Sequence, residues 1–303
     1  MFTYLRAAGL IGLLAAAPLA PAKAVEGDLS PALAAMKQRH AVRIGYRESS
    51  VPFSFLDRAQ RPVGYSIELC EAIAAAISAE IDEPNLAIGY VKVTAETRIK
   101  AVTQDEIDFE CGSTTANAER SKLVAFSPLI FVAGTKLMVR RDSKIAGAED
   151  LRGKTVVVTA GTTNEAVIRA LDQKQALGLT IVTAPDHEQS YQLLADGKAD
   201  AFATDDVLLY GLIAKHKTHK QFEVTADYLS YEPYGIMYKK DDAQLKAVVE
   251  AAFRNLATNR DLIPLYKKWF TSRLPTGEKL DIALSPQLEE SFKILDESQS
   301  GTN

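Results

Sequence analysis

Apolar and polar positions alternate with a period of two over 41–46, which predicts a strand, and apolar residues recur at helical spacing over 67–77, which predicts a helix. The two periods trade places along the chain. A short helical pattern surrounds Leu33-Ala34-Ala35-Met36. Residues 52–57 and 62–66 read as a small hairpin, with Ser66 placed to cap the following helix. Residues 87–93 predict a strand, 97–104 a short helix, and 107–111 a strand that runs into the polar loop Gly112 to Thr115. A second unit begins near Thr135, with strands at 136–140, 155–159, 180–183 and 199–204. Its helices are expected at 148–153, from Asn164 to about Leu171, at 186–196 and at 206–215. A strand at 234–238 and helices at 243–258 and 261–270 follow. No further element is read in the Pro-, Gly- and charge-rich tail from Thr271, whose last residues, 301–303, are expected to fray.

Such alternation predicts α/β lobes with largely parallel sheets. The late helices need a lobe to pack on and are assigned to the first. Lobe 1 is then 25–133 with 235–303, lobe 2 is 134–234, and the chain crosses between them near 132–135 and 232–235. Two lobes joined by two short strands imply a hinge with a small-molecule cleft between them.

The N-terminus changes where this protein is expected to work. Arg6 precedes an almost unbroken apolar run from Ala7 to Ala20, and Ala22-Lys23-Ala24 has the small-x-small pattern of a signal-peptidase site. The run is short of the ~20 residues of a spanning helix, so 1–24 is expected to be a cleaved export signal and the mature protein periplasmic. No cysteine stands nearby to carry a lipid. Cleavage would remove Arg6 and Lys23 but no acid, leaving 33 basic and 39 acidic side chains, a formal charge of −6. That charge, with no basic stripe interleaved with aromatics, argues against a nucleic-acid partner. An oxidising compartment permits a disulfide between Cys70 and Cys111, but their apolar contexts suit buried free thiols better. Two cysteines, and four histidines without ligand spacing, argue against a metal site, and no cofactor is called for.

In open α/β sheets, ligands meet the loops at the carboxyl ends of strands. Those loops carry Arg47, Arg98, Ser113 to Thr115 with Arg120 shortly after, Gly161-Thr162-Thr163, His187 and Asp205. Glycine, two threonines and a helix start make an anion site from free N–H groups and the helix dipole, although threonine also caps helices routinely. Arg120 can grip a carboxylate through its fork of donors; it can equally be a surface arginine within Glu119-Arg120-Ser121-Lys122. Asp205 can accept from an ammonium or simply cap a helix, and His187, Arg98 and Arg47 each have a surface alternative. The constellation carries the reading, and no single residue does.

The runs Arg47-Glu48-Ser49-Ser50-Val51-Pro52-Phe53-Ser54, Asp108-Phe109-Glu110-Cys111-Gly112-Ser113-Thr114-Thr115, Val156 to Thr163, Glu119-Arg120 and Asp205-Asp206 closely resemble the periplasmic glutamate/aspartate-binding proteins of ABC importers. The resemblance extends from about Leu33 to Leu288. It implies a type II periplasmic-binding-protein fold, α/β, with two lobes, a two-strand hinge and a ligand cleft between the lobes. It implies an amino-acid carrier rather than an enzyme, partnered by an ABC permease and monomeric. By the same resemblance, Arg120, Thr115 and Thr163 hold the ligand α-carboxylate. Asp205 and the Ser113 carbonyl hold the α-ammonium, and Arg47, Arg98 and His187 face the side chain. Charge arithmetic supports an acidic side chain: Arg120 and Asp205 already match the carboxylate and ammonium, so Arg47 and Arg98 are surplus and costly to bury unpaired. One departure is Ala95, where the family carries a serine against the ligand side chain. The alternatives are another polar amino acid as ligand, or an exported dehydratase-type enzyme on the same fold.

Overall fold

The computed structural model describes residues 28–300, so the predicted export signal at 1–24 and the tail at 301–303 lie outside it. The chain enters through α1 (Pro31–Arg39). The Ser30 hydroxyl accepts from the Leu33 N–H at its start, and left-handed His40 ends it. β1 (Ala41–Tyr46), β2 (Ser49–Ser50), β3 (Ser54–Leu56) and β4 (Pro62–Val63) follow, then α2 (Tyr65–Glu80), β5 (Ala87–Lys92), α3 (Arg98–Thr103), β6 (Phe109–Glu110), β7 (Val124–Phe126) and β8 (Phe131–Ala133). β3 and β4 form the expected antiparallel hairpin, and β2 adds a third strand to it.

β9 (Thr135–Arg140) opens the second lobe. After it come β10 (Thr155–Thr159), α4 (Thr163–Gln175), β11 (Thr180–Ala184), α5 (His187–Ala195), β12 (Ala201–Asp205), α6 (Asp206–His216) and β13 (Phe222–Val224). The chain returns through β14 (Glu232–Tyr234) and β15 (Met237–Lys239) to α7 (Ala243–Thr258), α8 (Leu262–Phe270) and α9 (Pro286–Ser300).

Two five-stranded sheets result, in the orders β5-β1-β6-β15-β7 and β11-β10-β12-β9-β13. β1 is parallel to β5 and β6, and β10 is parallel to β11 and β12. The sheets are less parallel than the alternation predicts. β15 runs antiparallel to β6 and β7, and β9 antiparallel to β12 and β13, because these strands enter from the opposite lobe. Between the sheets, β8 and β14 pair antiparallel, Pro233 opposite Val132, as a two-strand hinge.

The hinge is rooted in the first lobe. Phe131 of β8 stacks on Phe270 of α8 with ring centroids 4.9 Å apart, and Phe53 packs edge-on to both Phe131 and Tyr234 at 5.1 Å. Each such ring contributes about 1.5–3 kcal/mol by burial alone. Val207 and Leu208 at the start of α6 join the same core, so the second lobe grips it too.

Several expectations need correction. Residues 234–238 are not one strand: Tyr234 pairs with Phe131 in the hinge, whereas Met237 pairs with Glu110 and Phe126 in the first sheet, and Gly235-Ile236 turns between them. Strand 107–111 is pairwise regular only at 109–110, because the Asp108 carboxylate takes the Arg43 backbone N–H at 2.7 Å and pairs with Arg39 and Arg43. Ser66 does not cap α2; its hydroxyl donates to the Gly112 carbonyl at 2.7 Å, tying the helix to the loop after β6. The tail contains α9, whose Leu288 and Phe292, four residues apart, bury one stripe. Cys70 and Cys111 are joined in a disulfide, not free thiols, since α2 packs over β1 and brings position 70 to the end of β6.

Candidate functional site

The carboxyl ends of the parallel strands in both sheets face one another. Arg47 leaves β1 directly. Arg98 is the first residue of α3, positioned by a loop in which the Thr94 and Thr97 hydroxyls accept each other's backbone N–H at 3.1 and 3.0 Å. Opposite them, Thr162 caps α4 by accepting from the Glu165 N–H, so Thr163 is its first residue. His187 is the first residue of α5 and Asp205 the last of β12. A small cavity of about 10 Å³ lies between the two sets, room for about one water.

Arg47, Arg98, Ser113 and Thr115 line it from the first lobe, and Thr163, His187 and Asp205 from the second, with Thr162, Asn164 and Leu208 beside them. Arg120 is the exception among the expected residues. It is buried, with Nη1 donating to the Thr115 carbonyl at 2.9 Å, and it is not among the residues that line the cavity. Ala95 is buried and does not line the cavity either. The loops of the two lobes touch nearby: Gly161, with φ +75°, lies so close to 95–96 that a Cβ would meet Glu96 Cα at 2.6 Å. A larger, open groove by α1 and α7 holds charges that pair with one another, Arg39 and Arg43 with Asp108 and Lys239 with Asp105.

The electrostatics single out Arg47. Its side chain is 1% exposed, and neither Nη1 nor Nη2 has a hydrogen-bond partner among the described residues. Burial, then the neighbouring Arg98, pull its pKa down to about 10. Arg98 is better held, with Nη1 donating to Thr114 Oγ1 at 2.5 Å and to the Ser113 carbonyl at 3.3 Å. His187 accepts or donates at Nδ1 to the Thr159 hydroxyl at 2.8 Å, and burial, then Arg47 and Arg98, hold its pKa well below the usual histidine range. It is therefore neutral at physiological pH.

Three site residues escaped the sequence reading. Glu110 is fully buried and accepts a short bond from the Thr114 hydroxyl; it crowds Gly112, where a Cβ would meet Glu110 Oε1 at 2.4 Å and Arg47 Cγ at 2.9 Å. Asn164 donates from Nδ2 at 2.7 Å to both Asp205 Oδ1 and Thr135 Oγ1. Glu232, on the hinge, accepts from the Thr115 and Thr163 hydroxyls at 2.7 Å each. The available signal for Glu110 was its place at the strand end just before the Gly112 to Thr115 loop. Nothing local marked Glu232. The tally of three arginines against Asp205 alone is thereby corrected: three guanidiniums meet three carboxylates. What distinguishes Arg47 is its lack of hydrogen-bond partners, not a surplus of positive charge.

Asp205 occupies the N-cap position of α6 without capping it. Its Oδ2 accepts a short bond from the Tyr234 hydroxyl. Burial, then the Glu232 carboxylate, push its pKa up to about 7, against the opposing hydrogen bonds from Tyr234 and Asn164. The folded empty protein thus holds a proton here between about pH 4 and 7 that the unfolded chain has lost. By linkage its stability falls as pH rises through that window. A ligand ammonium favours the ionised form. Ligand affinity is therefore expected to rise by up to about tenfold per pH unit as pH climbs towards 7, with release of a proton near pH 6. Calorimetry at that pH in two buffers of different ionisation heat measures the release; equal heats in both would show that Asp205 does not titrate on binding.

Residues 42–272 match the profile of the bacterial extracellular solute-binding proteins, family 3. The chain is 38% identical over 286 residues to an L-glutamate/L-aspartate-binding protein of Pseudomonas aeruginosa, covering 94% of this chain and 95% of that one. It is 35% identical over 288 residues to a glutamate/aspartate import solute-binding protein of Escherichia coli, covering 95% of each. Among solved structures, a variant of ArgBP from T. maritima superposes with a TM-score of 0.71 at 29% identity, over 78% of this chain and 98% of that one. An ancestral amino acid-binding protein, described as a precursor of cyclohexadienyl dehydratase, gives 0.69 at 27% identity, over 79% and 99%.

Proposed function

The chain belongs to the bacterial extracellular solute-binding proteins, family 3, and from that premise we propose that it captures L-glutamate or L-aspartate in the periplasm and delivers it to an ABC permease. The observation that carries the ligand class is the Arg47 guanidinium, buried against the cavity with both terminal nitrogens unpartnered among the described residues. A side-chain carboxylate completes its hydrogen bonding; a neutral amide does so less well, since charge-assisted bonds are roughly twice as strong. The names of the relatives agree with that class.

In this assignment Arg47, Arg98 and neutral His187 face the ligand side chain. Asp205 and the Ser113 carbonyl take the α-ammonium. The α-carboxylate rests at the N-terminus of α4, on the Thr163 backbone N–H, with Arg120 and the Thr115 backbone N–H across from it. The lobes, 25–133 with 235–303 and 134–234, close as rigid units about β8 and β14, and residues 1–24 direct export and are removed. In this reading the protein is a monomeric carrier and not an enzyme, in keeping with the binding functions in its relatives' names.

Calorimetry of refolded, ligand-free protein against the common amino acids tests the assignment. Micromolar or tighter binding of L-glutamate or L-aspartate is expected, about −8 kcal/mol or better, with a melting temperature that rises with ligand concentration. No heat and no melting shift with either acid would overturn the ligand class, and turnover of a prephenate-like acid would overturn the carrier.

A further inference from the structure

The hydrogen bonds around Glu232 run in one direction. Glu232 is 3% exposed on β14, and its Oε2 accepts 2.7 Å bonds from Thr115 Oγ1 and Thr163 Oγ1, one hydroxyl from each lobe. Its Oε1 accepts from the Ser230 hydroxyl at 2.6 Å. A hydroxyl has one proton. Ser230, having given its own, can only accept from Thr135 Oγ1 at 2.7 Å, and Thr135 in turn accepts from Asn164 Nδ2. The other bond of Asn164 Nδ2 ends on Asp205. One chain of bonds therefore joins the hinge carboxylate to Asp205, and the protons of the Thr115, Thr163, Ser230 and Thr135 hydroxyls all point along it towards Glu232.

The consequence lies at the cavity wall. Thr115 and Thr163 both line the cavity, and with their protons committed they offer it only lone pairs. Lone pairs attract an ammonium and repel a carboxylate. We propose that Glu232 is a positioning residue for ligand recognition: by taking both threonine protons, it makes the Thr115 and Thr163 hydroxyls acceptors that, with Asp205, select the ligand amino group. The carboxylate is then left to backbone N–H groups and arginine. This rests on the cleft being an amino-acid site, but not on which side chain the ligand carries.

The test compares an amino acid with its des-amino counterpart. Calorimetry of L-glutamate and of glutarate is run on the wild type, Glu232→Gln and Thr115→Val. The glutamine keeps the volume of the side chain but replaces an acceptor-only group with a neutral amide. The wild type is expected to prefer L-glutamate by about a hundredfold or more, and Glu232→Gln to cut that preference by about tenfold, as befits loss of bonds to a charged group. The loss falls on L-glutamate, with glutarate unchanged or tighter. Thr115→Val, which removes one oriented acceptor directly, is expected to cut the preference too, and it stands as a second test should Glu232→Gln fail to fold. A Glu232 that merely clasps the lobes together would weaken both ligands in proportion. That outcome, or an unchanged preference in both variants, overturns the proposal. If the wild type binds a different α-amino acid, the ligand class fails alone, and the same comparison is made with that amino acid and its des-amino acid. Binding of no α-amino acid overturns both.

Discussion

Replacing Arg47 with methionine is expected to raise the melting temperature of the empty protein while weakening L-glutamate or L-aspartate binding by a hundredfold or more. The two effects have one cause. In the empty protein the guanidinium is buried without a hydrogen-bond partner for either terminal nitrogen among the described residues. Its pKa is pulled down to about 10, so the folded state disfavours the charge that the unfolded chain carries freely. Glu110 and its own stem offset part of that cost across Gly112. Methionine has a similar reach and no charge to desolvate. Replacing a whole buried ion pair by apolar volume stabilises by up to about 1–4 kcal/mol; here Glu110 stays behind and loses a compensating charge, so the gain is expected at or below the lower end of that range.

With ligand the sign reverses. A carboxylate bound against methionine is a buried charge whose partner has been removed, a loss of about 3–5 kcal/mol, or two to three and a half decades in affinity. Arg47→Lys is the informative companion: it keeps the charge but loses the fork, and an intermediate affinity is expected. Thermal melts with calorimetry decide the matter. An Arg47→Met protein that melts lower and still binds an acidic amino acid as tightly as the wild type would remove Arg47 from the site.

The second large effect is on stability. Cys70 and Cys111 close a loop across a sequence separation of 41. The chain-entropy relation gives about 4 kcal/mol for a loop of that length. Reduction, or Cys70→Ala with Cys111→Ala, is expected to lower the unfolding free energy by about that much in urea, and the melting temperature by about 10 °C. The bond also bears on the site, because Cys111 directly follows Glu110 and precedes the Gly112 to Thr115 loop. Removing it frees the strand end that carries Ser113 and Thr115, so a weaker ligand response is expected alongside the lower stability. A loss below about 1 kcal/mol would mean that the packing of α2 already confines both cysteines in the unfolded ensemble.

The sequence by itself determined the order of strands and helices and the residues that line the cleft from strand ends: Arg47, Arg98, His187, Thr163 and Asp205. Those follow from two local facts. Alternating periods locate the strands, and a parallel α/β sheet turns each strand's carboxyl end to one side, so residues just past those ends must converge. α9 and the split of 234–238 into β14 and β15 were not legible, because each depends on which distant surface the segment packs against.

The same holds for the chemistry. Glu232 meets Thr115 across a separation of 117 and Thr163 across 69; Asn164 reaches Asp205 across 41. No periodicity records such distances. Tertiary structure alone decided that the Arg47 terminal nitrogens go without partners among the described residues while Arg98 is held, that Arg120 donates to the Thr115 carbonyl, and that Cys70 meets Cys111. The reason is physical: a side chain's type sets what it can donate or accept, but only the fold sets whether water, a neighbour or a ligand is there to answer it.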